Sequence, residues 1–118
     1  MNYRKRAEEI FDYVQGIRRQ LHSWGEVGFD LPQTVALIDS ELSKMGIPHY
    51  PVGKAGICAI IGKGEKCVLL RADMDALPMD ETTGLPYAST SGGTHSCGHD
   101  CHAAMLLGAA KLLKEDED

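Results

Sequence analysis

The strongest constraint on this chain is a run of eight residues, His95 to His102, that carries three histidines, two cysteines and one aspartate. Imidazole and thiolate groups together suit zinc and neighbouring first-row metals. The run is followed at once by an apolar stretch, residues 103–113, which predicts a helix. Donors placed just before a helix predict one side of a metal site, with the other side formed by a different part of the chain.

Length and composition limit the architecture and the classes of partner. The chain has 118 residues, of which 43% are hydrophobic, and this predicts one domain over residues 1–118 with a modest core. A net charge of −5 argues against a nucleic-acid-binding surface, which is normally basic. No apolar run is long enough to cross a membrane, and the N-terminus lacks the apolar region of a signal peptide. The expected location is therefore the cytoplasm, with the cysteines as reduced thiols or metal ligands.

Hydrophobic spacing predicts helices in the first and last thirds of the chain. Three are expected, over residues 3–23, 32–45 and 101–114. The first two carry apolar side chains at steps of three and four, the pattern of a helix with one buried face. The third is apolar nearly all round, which predicts burial against a sheet or between layers.

Three short apolar runs between the second and third helices predict strands, at residues 47–52, 57–62 and 67–72. The last two runs are expected to pair antiparallel, with the third buried on both faces. Residues 79–94 are rich in glycine, serine and threonine and predict a long loop, of the kind that is functional or disordered.

Two carboxylates, Asp73 and Asp75, directly follow the third apolar run. The carboxyl end of a strand is where α/β proteins commonly place their chemistry. Pro78 follows closely and restricts the backbone, so these positions are expected to be well fixed. We therefore predict that both aspartates belong to a site rather than to an exposed acidic turn.

Four segments follow the order of motifs in one enzyme family: residues 18–22 with 26–29, residues 71–78 with Glu81, residues 84–89, and residues 95–102 leading into 104–110. Together they resemble the start of the M20 metallopeptidase family, in its amidohydrolase branch. The second and fourth segments are highly specific. The resemblance implies an α/β fold, as the N-terminal part of a zinc-peptidase-like three-layer αβα catalytic domain with a mixed sheet. The lid or dimerisation domain of the complete enzyme would be absent.

The resemblance also implies roles for individual residues. Cys97 and His99 align with metal ligands of a two-metal centre, and Asp73 aligns with the aspartate of the catalytic motif. Arg71 stands where other branches of the family carry a metal-binding histidine, so Cys97 is expected to supply the missing donor. The residues expected to support these groups are Asp100, His102, Asp75 and Arg71. The complete enzyme would hold two divalent ions, zinc or manganese, with nickel or cobalt as alternatives.

The reaction that the resemblance implies is hydrolysis of an N-acyl amino acid, a small molecule, to an acid and a free amino acid. The paired glutamates and two later ligand histidines of the family have no counterpart in the chain. We therefore expect the 118 residues alone to be inactive or nearly so. The remaining part of the enzyme, or a homodimer partner, would then complete the site.

Two other interpretations of the metal-type run stay open. In the first, a stand-alone module holds one structural zinc ion with four ligands drawn from His95, Cys97, His99, Cys101 and His102. It leaves residues 71–78 unexplained. In the second, Cys97 and Cys101 act in redox chemistry, although the usual spacing has two intervening residues.

Overall fold

The computed structural model of the protein describes residues 1–117, and Asp118, the last residue of the predicted domain, lies outside them. The elements are α1 (Tyr3–Glu9), α2 (Phe11–Trp24), α3 (Pro32–Lys44), β1 (His49–Val52), β2 (Gly56–Ala59) and α4 (His99–Glu115). The expected first helix is two helices, because the chain leaves helical geometry at Ile10, with φ −97° and ψ 12°. None of the described helices is long and apolar enough to cross a membrane.

The core lies where α2 packs against α4, with α3 closing one side. Leu21 of α2 is 1% exposed and Ala104 of α4 is fully buried. The small side chain of alanine lets the two helices approach closely, and α3 adds Ile38 and Leu42 to the same cluster. The apolar faces predicted for the first two helices are confirmed at these positions.

Helix α3 is delimited by groups outside the helix itself. The Glu26 carboxylate accepts hydrogen bonds from the backbone N–H groups of Gln33 (3.1 Å) and Thr34 (2.7 Å), which have no partner within the helix. At the other end Gly46 has φ 69°, a left-handed conformation that glycine adopts without strain. Glu26 therefore acts as a side-chain cap.

The strand prediction is correct for two of the three runs and wrong about their pairing. β1 and β2 are antiparallel, with Tyr50 opposite Cys58, so the first two runs form the hairpin. The third run forms no strand in the described part of the chain, and Val68 and Leu69 are 85% and 84% exposed rather than buried. The tight Val52-to-Gly56 turn lets the first two runs pair locally, and the third run then has no neighbouring strand.

Helix α4 is also less enclosed than its composition predicts. Its inner face packs on α2, but Met105 on the outer face is 57% exposed. Leu70 of the third run and Leu112 of α4 line the same shallow apolar groove. The expected burial of α4 between layers is therefore found on one face only.

The long loop predicted over residues 79–94 is present and ordered around one carboxylate. Glu81, whose side chain is 1% exposed, accepts hydrogen bonds from the Ser89 N–H (3.0 Å), the Thr83 hydroxyl and His22 Nε2 (2.7 Å). Burial alone raises the pKa of Glu81, but these bonds outweigh it and hold the pKa below its ordinary value. The loop is thus tied to α2 through an ionised, buried side chain.

The base of this loop is closed by the backbone. Leu77 and Thr94 exchange two hydrogen bonds, of 3.0 and 2.9 Å, in an antiparallel bridge. This bridge places the start of the metal-type run beside the segment that carries the two aspartates.

Replacing a core leucine and an exposed leucine by alanine tests the packing described above. Leu21→Ala is expected to lower the free energy of unfolding by about 2–5 kcal/mol, because it leaves a cavity between α2 and α4. Leu69→Ala, in the exposed third run, is the matched control and is expected to change it by less than about 0.5 kcal/mol. Urea unfolding followed by circular dichroism measures both, and equal losses would contradict the assignment of the core.

Glu81→Gln tests the ionised loop anchor. Because the pKa of Glu81 is lower in the folded state than its ordinary value of 4.5, the contribution of Glu81 to stability is present above that value and is lost as pH falls through the folded pKa. The variant is expected to lose about 1.5–3 kcal/mol of unfolding free energy at neutral pH, the range for hydrogen bonds to charged groups. Its stability should also fall less steeply on acidification below about pH 4.5.

The measurement is urea unfolding at a series of pH values, with the exposed Glu65→Gln as the control. Parallel acid profiles for the unmodified protein and Glu81→Gln would show that the Glu81 carboxylate contributes no pH-dependent stability.

Candidate metal centre

The first turn of α4 faces the segment that follows the third apolar run. Gly98, with φ 81°, ends the preceding turn, and α4 begins at His99. His99 and His102 are three residues apart and therefore project from the same side of the helix. One ligand atom from each of Asp73, His99 and His102 lies within 4.8 Å of the others. The chain thus brings together a carboxylate and two imidazoles from segments far apart in sequence.

Hydrogen bonds hold these side chains in a defined arrangement. His102 Nδ1 donates to Asp73 Oδ1 at 2.7 Å, and His99 Nδ1 donates to Asp75 Oδ1 at 3.0 Å. The second nitrogen of His99, Nε2, lies 3.5 Å from Asp73 Oδ2. The two imidazole rings stack, with centroids 5.5 Å apart and planes at 27°. His99 therefore has one nitrogen bonded to Asp75 and the other directed towards Asp73.

The charge on Asp73 is stabilised by its neighbours. The hydrogen bond from His102 lowers the pKa of Asp73, and this effect and the nearby His99 outweigh the opposing effect of burial. Arg71 adds a further positive charge, with its guanidinium nitrogen 3.6 Å from Asp73 Oδ2 and its side chain 76% exposed. Asp73 is therefore an ionised acceptor at the centre of the cluster.

The three converging donors suit a divalent metal ion. Neutral imidazole and carboxylate are ligands of zinc, manganese and similar ions. A metal-binding histidine normally donates its other ring nitrogen to a carboxylate or carbonyl, as His99 does to Asp75. Binding would displace the proton shared by His102 and Asp73, because ligands must be deprotonated.

Cys97 lies outside this group of three donors. It is exposed, on the turn before α4, and its sulfur is not among the ligand atoms that converge in the described part of the chain. All four cysteines are free thiols. The assignment of Cys97 as a ligand stays a prediction, whereas His102, expected in a supporting role, stands among the donors.

Asp100 points away from the donors and into the protein. Its side chain is fully buried, and Oδ2 lies 2.8 Å from both His22 Nδ1 and Arg18 Nε. His22 Nδ1 is aligned to donate, while Arg18 Nε is at ion-pair distance without hydrogen-bond alignment. Oδ1 accepts a bond of 2.8 Å from the backbone N–H of Cys101. Asp100 therefore joins α4 to α2 and makes no contact of its own with the three donors.

From the sequence alone, His22 can either face a site or cap the end of a helix. The structure places it inside the protein, 5% exposed, with Asp100 on one ring nitrogen and Glu81 on the other. The edge of its ring also meets the Tyr87 ring, at a centroid distance of 5.6 Å. The available signal was the spacing of Arg18 and His22, four residues apart on one helical face next to the buried stripe.

His95 is the other buried histidine, at 5% exposure, and neither of its ring nitrogens has a hydrogen-bond partner in the described chain. Burial lowers its pKa, and the neighbouring His22 and His99 add to this effect against the attraction of Asp100. His95 is therefore held as a neutral ring. It does not share a set of converging donors with the cysteines, so the geometry does not favour the closed four-ligand zinc site.

A glycine pair brings the loop against the end of α2. A Cβ built on Gly25 would lie 2.1 Å from the Gly93 carbonyl oxygen, and one built on Gly93 would lie 2.0 Å from the Gly25 carbonyl oxygen. Gly25 also has φ 49°, the left-handed conformation that ends α2. The backbone at Gly25 therefore contacts the backbone at Gly93, two residues before the metal-type run begins.

Comparison with known proteins is consistent with these features. Residues 69–118 match the family model described as peptidase family M20/M25/M40. Over 116 residues the chain is 46% identical to IAA-amino acid hydrolase ILR1-like 4 of Arabidopsis thaliana, covering 96% of the chain and 26% of that protein. Over 107 residues it is 50% identical to N-acetyl-L-cysteine deacetylase of Bacillus subtilis, covering 87% of the chain and 26% of that protein.

A solved structure extends the similarity to the fold. The chain superposes with a TM-score of 0.85 and 36% identity on a dinuclear metal-binding peptidase of the M20 family from Bacillus subtilis, covering 93% of the chain and 32% of that structure. The chain thus spans about a quarter of the length of the curated relatives named here. The predicted α/β class is confirmed, as is the resemblance to the M20 family, whose model matches residues 69–118.

Proposed function

We propose that this chain supplies part of the active site of a metal-dependent amidohydrolase that cleaves the amide bond of N-acyl amino acids. The observation that carries the proposal is the convergence of Asp73, His99 and His102 within 4.8 Å. The relatives act, by name, on amide conjugates of amino acids, and a structural neighbour of the same family binds two metal ions. In the complete protein we propose two divalent ions, zinc or manganese.

Four residues of the chain would hold and orient a metal ion: Asp73, Asp75, His99 and His102. Asp75 accepts a hydrogen bond from His99 Nδ1. The other ring nitrogen, Nε2, is then free to bind a metal ion through its lone pair. Asp73 supplies a carboxylate oxygen, and His102 offers the second imidazole. When bound, divalent ions would polarise the scissile carbonyl and lower the pKa of a water molecule.

One positive charge, that of Arg71, stands beside the carboxylates of the donor set. The exposed Arg71 guanidinium stands 3.6 Å from Asp73, at the open edge of the cluster. Arginine presents a planar set of N–H donors that matches a carboxylate group. We propose that Arg71 attracts the free carboxylate of an N-acyl amino acid towards the metal centre.

We also propose that the 118 residues by themselves turn over substrate slowly or not at all. The three converging donors account for one metal ion. Among the described residues they leave no ligand set for a second ion, and no glutamate stands beside them as a general base. Loss of a general base costs about 10²–10⁴-fold in rate. The rest of a longer polypeptide, or a homodimer partner, would supply these groups.

Zinc titration of single variants tests the centre. His99→Ala and Asp73→Ala are each expected to raise the Kd for Zn²⁺ by about 100-fold or more, beyond the 10–100-fold seen for supporting partners of metal ligands. Cys97→Ser and His102→Ala show which of these two side chains completes the ligand set, because the ligand has the larger effect. Isothermal titration calorimetry at neutral pH gives the Kd values.

His49→Ala is the matched control, since His49 bonds Asp39 in a different part of the chain. It should leave the Kd for Zn²⁺ unchanged. Zinc binding by His99→Ala as tight as that of the unmodified protein would refute the proposed centre.

A hydrolysis assay tests the activity of the isolated chain. With Zn²⁺ or Mn²⁺ added, the 118-residue chain is expected to release amino acid from N-acetyl amino acids or hippurate no faster than metal in buffer, because no general base is in place. Sustained turnover that chelator abolishes would overturn this expectation. It would also show that the described residues hold the complete machinery.

A further inference from the structure

We propose that His22 is a positioning residue for the metal centre: by bridging Asp100 and Glu81, it fixes both ends of the turn that carries Cys97 and His99. The inference rests on the proposed function, since it concerns the placement of the donors. His22 itself touches none of the three converging donors, so its effect would act through its two carboxylate partners.

The first tie holds the end of the turn that leads into α4. Asp100 directly follows His99 and is fully buried, with Oδ2 2.8 Å from His22 Nδ1. The N-cap residue of α4, Gly98, has no side chain to bond the first turn of the helix. The bond between Asp100 and His22 therefore attaches the first turn of α4 to α2, in the absence of a side-chain cap.

The second tie holds the segment that enters the turn. Glu81 accepts from His22 Nε2 at 2.7 Å and from the Ser89 N–H at 3.0 Å. From Ser89 the chain runs through Gly93, which is pressed against Gly25, and reaches His95. The chain on both sides of Cys97 is thus connected to one imidazole ring.

The His22 ring is held through both of its nitrogens, each of which bonds a carboxylate side chain. The Arg18 guanidinium adds a positive charge 2.8 Å from Asp100. A buried carboxylate that loses such a partner is strongly destabilised.

No other group in the described turn provides the same tie. His95 lies beside His22, with ring centroids 6.2 Å apart, but its two nitrogens have no partner. Arg18 lies with Nε 2.8 Å from Asp100 and donates from Nη1 to the Tyr87 hydroxyl at 3.3 Å, so it reaches the loop at Tyr87 rather than at Glu81. His22 is therefore the side chain that bonds both Asp100 and Glu81, beside the Arg18 contact with Tyr87 and the backbone bridge between Leu77 and Thr94.

The same end of α2 also holds the opposite side of the centre. The carbonyl oxygen of Glu26, four residues after His22, accepts a 2.7 Å bond from the Ala76 N–H, next to Asp75. Both halves of the donor set are consequently attached to one short stretch of chain. A change at His22 would move one half relative to the other.

Two substitutions separate the two ties. The side-chain amide of His22→Asn can occupy the place of Nδ1 and keep the bond to Asp100, and that of His22→Gln can occupy the place of Nε2 and keep the bond to Glu81. The protein is titrated with Co²⁺, whose visible absorption reports the geometry of the ligands. Each variant is expected to raise the Kd for Co²⁺ about 10-fold and to alter the absorption of the bound ion.

The control is His49→Gln, because His49 also has both ring nitrogens bonded, to the Ile47 carbonyl and to Asp39. It should keep the Kd within about twofold of the unmodified protein, as expected for a site outside the donor network. Urea unfolding of the metal-free proteins shows which variants remain folded. A purely structural role of His22 would lower stability while leaving the Kd and the absorption spectrum unchanged, and that result would overturn the proposal.

If the His22 variants do not fold, Glu81→Gln provides the test, because it weakens the contact between His22 and the loop and leaves the contact between His22 and Asp100 in place. It too is expected to raise the Kd for Co²⁺, and an unchanged Kd in a folded Glu81→Gln protein would count against the positioning role. Failure of the unmodified protein to bind Co²⁺ would instead overturn the proposed function, and with it the role assigned to His22.

Discussion

The burial of the Asp100 carboxylate is the constraint on which the arrangement of this protein depends. A fully buried carboxylate is tolerated only with close polar partners, and α2 supplies two of them, the Arg18 guanidinium and the His22 ring. The apolar contacts between α2 and α4 are non-directional and would permit several registers. The ion cluster selects one of them, because any slip between the helices would separate the charges. Packing thus supplies most of the stabilisation, and the cluster supplies the alignment.

This alignment connects the interior of the protein to its surface. Asp100 and its neighbour His99 are consecutive residues of one helical turn, with one directed inwards and the other towards Asp73 and Asp75. An exposed donor set that has to hold its spacing within fractions of an ångström gains from attachment to a rigid, buried element. The inner network and the outer cluster are therefore connected through consecutive residues of α4. The net charge of the chain is −5, but Arg71 places a positive charge beside Asp73.

Much of the architecture could be predicted from the sequence, since helical periodicity records which residues face the core. Leu21, Ile38 and Leu42 were placed correctly on that basis. The pairing of the strands could not be predicted, because apolar runs of equal length do not indicate which run pairs with which. The short turn between β1 and β2 brings these two runs together. The exposed third run shows the limit most clearly: its composition is that of a buried strand, and no described strand lies beside it.

The site was predictable in its residue types and less so in their roles. Asp73 and His99 lie close together and Asp75 bonds His99, while the roles of these residues in catalysis and metal binding stay predictions. However, the sequence does not reveal which of these side chains faces the protein interior. It therefore could not show that His102 lies among the donors whereas Asp100 is buried. His22 was ambiguous for the same reason, because its partners lie 59 and 78 residues further along the chain.

The contact between Gly25 and Gly93 has a consequence for how such a protein can diversify. Because the backbone of each glycine occupies the space that a side chain on the other would need, exchanging either residue, or both together, meets the same obstruction. Substitutions at Arg71 and Cys97, whose side chains are exposed, meet no such obstruction. The two glycine positions are therefore expected to accept fewer substitutions than these exposed positions beside the cluster.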